Sequence, residues 1–393
     1  MSSRLIVNSI RHTGASGDAV TLANDGTCTA KITNNLSNRN LIINGAMQVA
    51  QRATSYTGTD TYATVDRFRV GFSGLDENLT QAQVDVASGT TPYTLGFRKA
   101  YRITNGNQTS GFGAGDQIRI DTLLEAQDFA NSGWDYTSAS SYITLSYWVK
   151  SSVAQEFFGY LYTADSPNYK YGWSLGSLSA DTWTKVTKTI PGNSNLVFNN
   201  DNGQGCWLNL LGIWGTDLTA SDATPNTWMT WDGAKRSTDQ ASTWYTTNNA
   251  TFEITGVQLE VGSVATDFEH RSYAQELALC QRYFLDYVGP TPPSNLGFAT
   301  GTWYNSGYIF CPLRFPVAMR AAPTLEGSNN TNDFYALIGS TVDYYNQNAL
   351  AQSTVQGARI YPDIGTATAG SSGSCVVLHT ELTTARLRFN AEL

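Results

Sequence analysis

The chain has 393 residues, of which 41% are hydrophobic and 14% charged, and its formal net charge at pH 7 is −8. Nucleic-acid binding needs clustered Lys and Arg, so the acidic balance and the lack of a basic run argue against a nucleic-acid partner. No apolar stretch approaches the roughly 18 residues of a membrane-spanning helix, and the first residues have too short an apolar core for a secretory signal. We therefore expect a soluble protein, made in a cytoplasm, with neither a nucleic-acid nor a membrane partner.

Residues with metal-binding chemistry are sparse in this chain. Cysteines stand at positions 28, 206, 280, 311 and 375 without a CxxC pair, and only three histidines occur. Widely spaced cysteines in odd number favour reduced, mostly buried thiols over a disulfide framework or a zinc site. We predict no metal ion and no cofactor.

Two short stretches match catalytic or phosphate-binding patterns by sequence alone. GWSLG, residues 172–176, fits a nucleophile elbow but lies among strand-like runs without the following helix that an elbow requires. GFGAG, residues 111–115, lacks the Lys and the helix of a phosphate loop and suits a hairpin loop. Carboxylates distant in sequence could still meet for glycoside hydrolysis, but most stand in turn contexts. We predict no catalytic residues and no enzymatic activity.

Residues 1–40 form an arm of their own. Its short alternating runs are separated by the turn signals GASG and NDG. About forty residues with few large apolar groups cannot build a stable core alone, so the arm is either disordered or pairs with other copies or a docking partner. The alternation favours pairing, and we predict that Leu5, Val7 and Ile10 take part in oligomerisation.

Residues 41–268 indicate a β-sandwich. About nine strand-like runs with turn clusters between them occur there, a density typical of sandwiches. In SYITLSYWVK the side chains separate by period two, which predicts a core face of Ile143, Leu145, Tyr147 and Val149. Trp148 then lies on the polar face, an unusual place for so much apolar area.

The aromatic side chains that cluster after this strand are the best candidates for ligand binding. Flat rings stack on the apolar faces of sugar rings, while nearby Asn, Thr and Asp bond the hydroxyl groups. The alternative is that most of them are core or interface residues. The predicted carbohydrate-binding residues are Trp148, Tyr160, Tyr162, Tyr171 and Trp173.

A phase slip interrupts the last strand of this region. Phe252 and Ile254 point to the same side as Val257 and the apolar residues after it only if one extra residue intervenes. We therefore predict a β-bulge at Thr255-Gly256.

A capped helix follows this strand, in a connecting segment of residues 269–287. Ser272 and Gln275 match a capping box, which predicts a helix over 272–284. A helix this short is marginal in isolation, so its apolar stripe must be buried, either on its own sandwich or in a threefold seam between chains. Both alternatives stay open. The stripe residues, which we predict for oligomerisation, are Tyr273, Leu277, Cys280 and Phe284.

Residues 288–393 indicate a second β module, and the Pro-rich VGPTPP before its first strand suits a module boundary. The predicted fold class is therefore all-β. It combines an N-terminal β arm, a central sandwich, one short connecting helix and a C-terminal β-sandwich module.

Several stretches of the chain carry a family resemblance. They are NLIINGAMQVAQRATS, DRF, KAYRIT, YITLSYWVKSS, VQLEVGSVATDFEHRSYAQELALCQRYF, LRFPVAMRAAPTL and FNAEL. Together they resemble tail-fibre and related appendage proteins of bacterial viruses, including cyanobacterial ones. LIVNSIRHTGASGDAVTLANDG is similar to leader segments that attach such proteins to the particle. Residues 41–268 resemble jelly-roll carbohydrate-binding modules.

This resemblance implies a structural virion protein, a homotrimeric tail fibre or spike made in the host cytoplasm. Its N-terminus would contact other tail or virion proteins, and its β modules would contact host-surface polysaccharide. A purely structural capsid or baseplate appendage, a glycan-binding module of a cell-surface protein and a depolymerase are the alternatives.

Overall fold

The computed structural model of the chain describes residues 7–14, 16–22, 24, 28–30, 38–58, 61–305, 308–362 and 373–393. These residues form mostly β-strands in antiparallel sheets, with a few short helices. The predicted all-β fold class is confirmed.

The N-terminal arm contains a small antiparallel sheet with the strand order β1-β2-β3. Its strands are Ser9–Ile10 (β1), Val20–Leu22 (β2) and Cys28–Ala30 (β3). Ile10 is 54% exposed and Leu22 is 40% exposed, so the described part of the arm leaves apolar side chains in solvent. Val7 is half-buried, and Leu5 lies outside the described residues.

Two six-stranded antiparallel sheets form the central sandwich. Its strands are Ser55–Thr57 (β4), Arg69–Ser73 (β5), Thr80–Asp85 (β6), Lys99–Thr104 (β7), Gln117–Glu125 (β8), Tyr142–Ser151 (β9), Gln155–Thr163 (β10), Tyr169–Leu178 (β11), Thr184–Pro191 (β12), Gln204–Trp214 (β13), Trp228–Thr230 (β14) and Thr251–Val261 (β15). We call β14-β11-β10-β13-β8-β5 the first sheet and β12-β9-β15-β7-β6-β4 the second sheet. Their facing sides enclose one hydrophobic core.

Strand alternation decides which side chains enter this core. Ile143, Leu145, Tyr147 and Val149 of β9 are all 0% exposed, which confirms the predicted core face. Successive residues of a strand point to opposite sides, so the intervening side chains lie on the outer surface of the second sheet.

The predicted β-bulge is confirmed where β15 pairs with β9, because the register shifts between Thr255 and Gln258. Gly256 has a φ of 64° there, a conformation that costs glycine little. Gly45 packs against the bulge so closely that a Cβ would lie 2.1 Å from the Val257 carbonyl oxygen.

More helical turns occur than the single helix that the sequence predicted. They are Thr91–Thr94 (α1), Ala126–Ala130 (α2), Thr243–Thr246 (α3), Tyr273–Gln281 (α4) and a 3₁₀ turn at Thr216–Leu218. No helix in the described ranges is long and apolar enough to cross a membrane.

The connecting helix α4 has the predicted capping box of Ser272 and Gln275, but it is shorter than predicted. It ends at Gln281, and Phe284 begins a strand instead. Cys280 and Phe284 are fully buried within their own chain, so their prediction as contacts between chains is wrong. Tyr273 is 55% exposed and Leu277 is half-buried. These two residues stay predictions for an oligomer contact.

The C-terminal module pairs a seven-stranded sheet with a three-stranded one. Its strands are Phe284–Asp286 (β16), Gly297–Asn305 (β17), Tyr308–Arg314 (β18), Thr324–Gly327 (β19), Phe334–Ile338 (β20), Thr341–Tyr345 (β21), Asn348–Thr354 (β22), Gly357–Pro362 (β23), Cys375–Thr380 (β24) and Leu387–Asn390 (β25). The orders are β21-β20-β24-β17-β18-β23-β22 and β16-β25-β19. A second hydrophobic core that includes Trp303, Phe334 and Phe389 lies inside this module.

A buried ionic cluster joins the two modules. Arg67, which is 2% exposed, donates a hydrogen bond to Glu392 and stacks 3.5 Å above the centre of the Tyr283 ring. Arg52 lies 3.4 Å from the same carboxylate and 3.4 Å above the Phe284 ring. Two arginines therefore share one carboxylate from the far end of the chain.

A second carboxylate completes this joint. Glu125 accepts hydrogen bonds from two nitrogens of Arg282, both at 2.7 Å, and from the Tyr283 hydroxyl. The backbone N–H of Ala391 donates to the Tyr283 carbonyl at 2.8 Å. The stretches that meet at the joint are LIINGAMQVAQR, DRF, CQRYF and FNAEL.

Asp66, beside this joint, makes the stability dependent on pH. Burial raises its pKa to about 6, although Arg52 and Gln51 oppose the shift. The folded state thus holds the proton more tightly than the unfolded chain. This contributes stability that is fully present below about pH 4 and is lost as the pH rises through about 6.

We expect Asp66→Asn, which cannot titrate, to gain stability relative to the wild type by up to about 3 kcal/mol between pH 4 and 7. Urea denaturation of both proteins at several pH values measures the difference. Asp85→Asn, at an exposed position, is the control. The difference in stability between this variant and the wild type should not change with pH. Parallel pH profiles for Asp66→Asn and the wild type would contradict the assignment.

Candidate functional site

The outward surface of the first sheet is rich in aromatic and basic side chains. Along β13, Cys206 and Leu208 enter the core, whereas Trp207 and Asn209 lie on the opposite side of the strand. The same alternation places side chains of β5, β8, β10 and β11 on this surface. We call it the outer aromatic face and define it by Arg69, Arg119, Asp121, Tyr160, Tyr162, Lys170, Trp207, Asn209, Trp214, Trp231 and Arg236.

Four rings form a contiguous cluster on this face. Trp231 contacts Tyr162 with a centroid distance of 4.7 Å and Tyr160 with 5.6 Å. Trp207 meets the same two tyrosines edge to face, at 6.1 and 6.2 Å. Tyr160 is 0% exposed, while the other three rings are half-buried. The three half-buried rings therefore present partial faces to solvent.

Polar side chains lie beside and beneath these rings. Asp121 is 0% exposed and accepts hydrogen bonds from Arg119 Nε and Asn209 Nδ2, both at 2.9 Å. Arg69 Nε stands 3.7 Å from the same carboxylate. Burial raises the pKa of Asp121, although both arginines and Asn209 oppose the shift. The guanidinium carbons of Arg119 and Arg69 lie 5.2 and 5.6 Å from the Trp207 ring centre, within cation–π range.

Two glycines allow large side chains to lie flat on the sheet. A Cβ at Gly212 would lie 2.3 Å from the Trp214 indole, and a Cβ at Gly71 would lie 2.4 Å from the Arg119 guanidinium carbon. Any larger residue would push these groups outward. The glycines thus keep the outer aromatic face shallow and open along its length.

A loop from the 215–244 insertion supplies one edge of the face. Lys170 Nζ donates to the carbonyls of Lys235 and Arg236, and the Trp231 N–H donates to the Asn168 carbonyl at 3.0 Å. Burial lowers the pKa of Lys170 to about 8. These bonds hold Trp231 against the sheet. Part of the insertion pairs with β11 as the edge strand β14.

This arrangement suits a polar, ring-shaped ligand that lies along the sheet. Half-buried aromatic faces pack against apolar ring surfaces, and guanidinium groups beside them donate hydrogen bonds in a fixed planar geometry. Among the described residues no cluster of His, Cys, Asp and Glu has a metal-binding arrangement. The rings and donors together form a candidate binding surface.

Two of the five predicted binding residues, Tyr160 and Tyr162, lie on this face. Tyr160 is buried beneath the tryptophans, so only Tyr162 of the pair reaches solvent. Tyr171 and Trp173 belong to the core, at 4% and 1% exposure, because they occupy the opposite phase of β11 from Lys170. Their side chains cannot meet a surface ligand, so the sequence assignment is corrected for these two residues.

Trp148 lies on the outer side of the second sheet, away from the outer aromatic face. It is half-buried and packs on a small cluster that includes Phe97, with Trp183 and Phe268 beside it. Its apolar area is thus partly covered by its own chain, and no ring of the outer aromatic face contacts it. It stays a prediction as an isolated binding residue.

Sequence reasoning missed the tryptophans and arginines that dominate the face. One signal was available in QGCWLNLLGIW, where Trp207 and Asn209 alternate with apolar residues and so predict an outward tryptophan. No such signal existed for Trp231, because it lies outside a regular strand. Arg69 and Arg119 could not be placed without the strand order.

A separate cavity lies elsewhere on the chain. Its volume is about 1080 Å³, and residues 38–41, α2, α4 and Val317 line it. It is a gap between the joint and the arm, with Arg39, Arg271 and Arg282 paired to carboxylates of the same chain. Since these three arginines are already paired, we place the candidate site on the outer aromatic face.

Comparison with known proteins gives distant likenesses of fold. No protein-family model matches the sequence, and no curated protein matches it. Among solved structures, the enzymatically active domain of tailspike protein 4 from bacteriophage CBA120 is similar, with a TM-score of 0.30 and 10% identity over 57% of this chain and 21% of that one.

Two carbohydrate-binding modules are similar at a comparable level. A xylan-binding domain from Paenibacillus barcinonensis has a TM-score of 0.24 and 10% identity, over 54% of this chain and 94% of that one. A family 11 carbohydrate-binding module from Clostridium thermocellum has a TM-score of 0.24 and 8% identity, over 54% and 98%. Likenesses this distant define neither a family nor a ligand for the chain.

Proposed function

We propose that this chain is a non-enzymatic, glycan-binding appendage protein of a virus particle, a homotrimeric tail fibre or spike. The observation that carries the glycan-binding part is the outer aromatic face, where Trp207, Trp231 and Tyr162 present half-buried rings beside arginine donors. Pyranose rings have apolar faces that pack on aromatic rings and hydroxyls that accept hydrogen bonds. The face matches both properties.

The virion part of the proposal is supported by the resemblance of the quoted sequence stretches to phage appendage proteins. Four of those stretches meet at the buried joint, where they fix one module against the other. A rigid arrangement of this kind suits a projecting appendage, since it holds a binding surface at a set angle to its attachment point.

The trimer is supported by the arm, whose Ile10 and Leu22 are exposed. Pairing with sister arms would remove this apolar surface from water, and three weak sites presented together would gain avidity without new contacts. A stable, fully folded monomer in mass measurements on dilute protein would contradict this part of the proposal.

Binding to purified host-surface polysaccharides tests the glycan site. Trp231→Ala is expected to weaken binding at least about tenfold, or about 1.4 kcal/mol, because it removes a stacking ring that makes no core contact. Affinity electrophoresis or titration calorimetry measures the change. Trp183→Ala, which deletes a half-buried indole beside the second sheet, is the matched control and should bind like the wild type.

An equal loss in both variants, or the lack of binding to any surface polysaccharide, would contradict the site. New reducing ends released from a bound polysaccharide would contradict the non-enzymatic role.

A further inference from the structure

The outer aromatic face carries more positive than negative charge, although the chain as a whole is acidic. Arg69, Arg119, Lys170 and Arg236 are its cations, and Asp121 is a carboxylate that contacts the first two. The formal net charge of the chain is −8. A cationic patch on an acidic protein is set apart from the general surface, and it attracts anions locally.

Arg69 has unused hydrogen-bonding capacity. Its Nε lies near Asp121 at 3.7 Å, but among the described residues no hydrogen bond engages either terminal guanidinium nitrogen. The side chain is 23% exposed and stands between the rings of Tyr62 and Trp207, at 5.7 and 5.6 Å. A guanidinium fixed in this way offers a planar pair of donors that fits a carboxylate or sulfate.

Arg236 and Lys170 repeat this situation. Arg236 donates to the Gly233 carbonyl and to the Gln117 side-chain oxygen, which are neutral acceptors, and it stacks 4.8 Å from the Trp214 ring. Lys170 is likewise bonded to carbonyl oxygens. Neither cation forms an ion pair with a described residue. Burial lowers the pKa of Arg236, a sign that nearby anions do not compensate its charge.

The local carboxylates leave this imbalance in place. Asp121 is shared between two arginines and has no exposed surface. Asp232, in the same loop as Arg236, is exposed and favours the charged form of Lys170 without contacting it. Water and salt screen an exposed carboxylate strongly. Arg69 and Arg236, which are half-buried, therefore keep an attraction for an external anion.

We propose that the glycan bound on the outer aromatic face is an anionic polysaccharide, whose carboxylate or sulfate groups bind Arg69 and Arg236 while its sugar rings pack on Trp207 and Trp231. This inference rests on the proposed glycan-binding function and adds the chemical class of the ligand. Arg69 stands beside Trp207 and Arg236 stands beside Trp214, so a chain with repeated anionic groups fits better than a single charged residue.

Binding to matched polymer pairs tests this inference. Polygalacturonate and its fully methyl-esterified form differ in carboxylate charge, and dextran sulfate and dextran differ in sulfate charge. We expect at least one anionic polymer to bind about tenfold or more tightly than its neutral partner, with an affinity that falls as NaCl is raised from 50 to about 500 mM. The carboxylate and sulfate arms show which anion is preferred.

Variants separate charge recognition from ring stacking. Arg69→Gln and Arg236→Gln should each lower affinity for the anionic polymer about tenfold and leave binding of its neutral partner unchanged. Arg98→Gln removes an equal charge from an exposed position outside the face and should have no effect. Trp231→Ala should weaken the binding of both polymers.

The outcomes distinguish the two proposals. If charged and neutral polymers bind equally and both depend on Trp231, the anionic inference fails while the glycan-binding function stands. If Arg98→Gln weakens binding as much as Arg69→Gln, the recognition is general charge attraction and the inference fails. If no polymer binds in a Trp231-dependent way, the glycan-binding function itself fails.

Discussion

Replacing Glu392 by glutamine is expected to lower the free energy of unfolding by about 3–5 kcal/mol. The substitution keeps the shape of the side chain but leaves Arg67 and Arg52 without their shared counter-charge. Both arginine side chains are less than a tenth exposed, at 2% and 7%, so water cannot replace the lost carboxylate. A buried cation without a partner is among the costliest single changes in a folded protein.

Chemical denaturation at pH 7 measures this loss, and hydrogen exchange at the Ala391 amide locates it. That amide bonds to the Tyr283 carbonyl across the joint. Relative to the wild type, its exchange rate should therefore rise more in the variant than the rates of amides inside either sandwich core. Asp85→Asn is the control, because its ion pair with Lys99 is solvent-exposed and is worth at most about 1 kcal/mol. Equal losses in the two variants would show that the joint is not held by its buried charges.

Trp173→Ala is expected to destabilise the central sandwich by about 3–5 kcal/mol while leaving the glycan affinity of the folded fraction unchanged. The indole is 1% exposed and donates a hydrogen bond to the Tyr147 hydroxyl at 3.2 Å, which links the first sheet to the second. Its removal opens a large cavity and leaves that hydroxyl without its donor.

Trp207→Ala should give the opposite pattern. The ring is half-buried on the outer aromatic face, so its loss should weaken glycan binding and cost less stability than Trp173→Ala. Denaturation midpoints and binding titrations on the same protein samples compare the two. A binding loss in Trp173→Ala at conditions where it is fully folded would show that the core assignment of this residue does not describe its role.

These two tryptophans show what strand periodicity predicts and what it leaves undecided. The sequence identified the core face of β9, the bulge at Gly256 and the cap at Ser272, because each depends on residues close together along the chain. The same rule applied to β11 would have paired Tyr171 with Trp173 and separated both from Lys170. It could not say which of the two sides faced the other sheet, because aromatic residues suit both a core and a binding surface.

The connecting helix shows a different limit. Its apolar stripe predicted burial, which holds for Cys280 and Phe284 but not for Tyr273, at 55% exposure, and the stripe left open both its own sandwich and a seam between chains. The structure buries Cys280 and Phe284 at the joint, where Arg52 covers the Phe284 ring. An arginine 232 positions earlier in the chain is not visible as a partner from local spacing.

The sequence by itself determined the all-β class, the alternating core of β9, the bulge and the capped start of the helix, since strand and helix periods and capping chemistry act over a few residues. The tertiary structure alone decided that Arg69, Arg119, Trp207 and Trp231 share one surface and that Glu392 meets Arg67. Such groups are brought together by strand order and module packing, which depend on the burial of side chains far apart in the chain, and no local pattern of residues encodes that meeting.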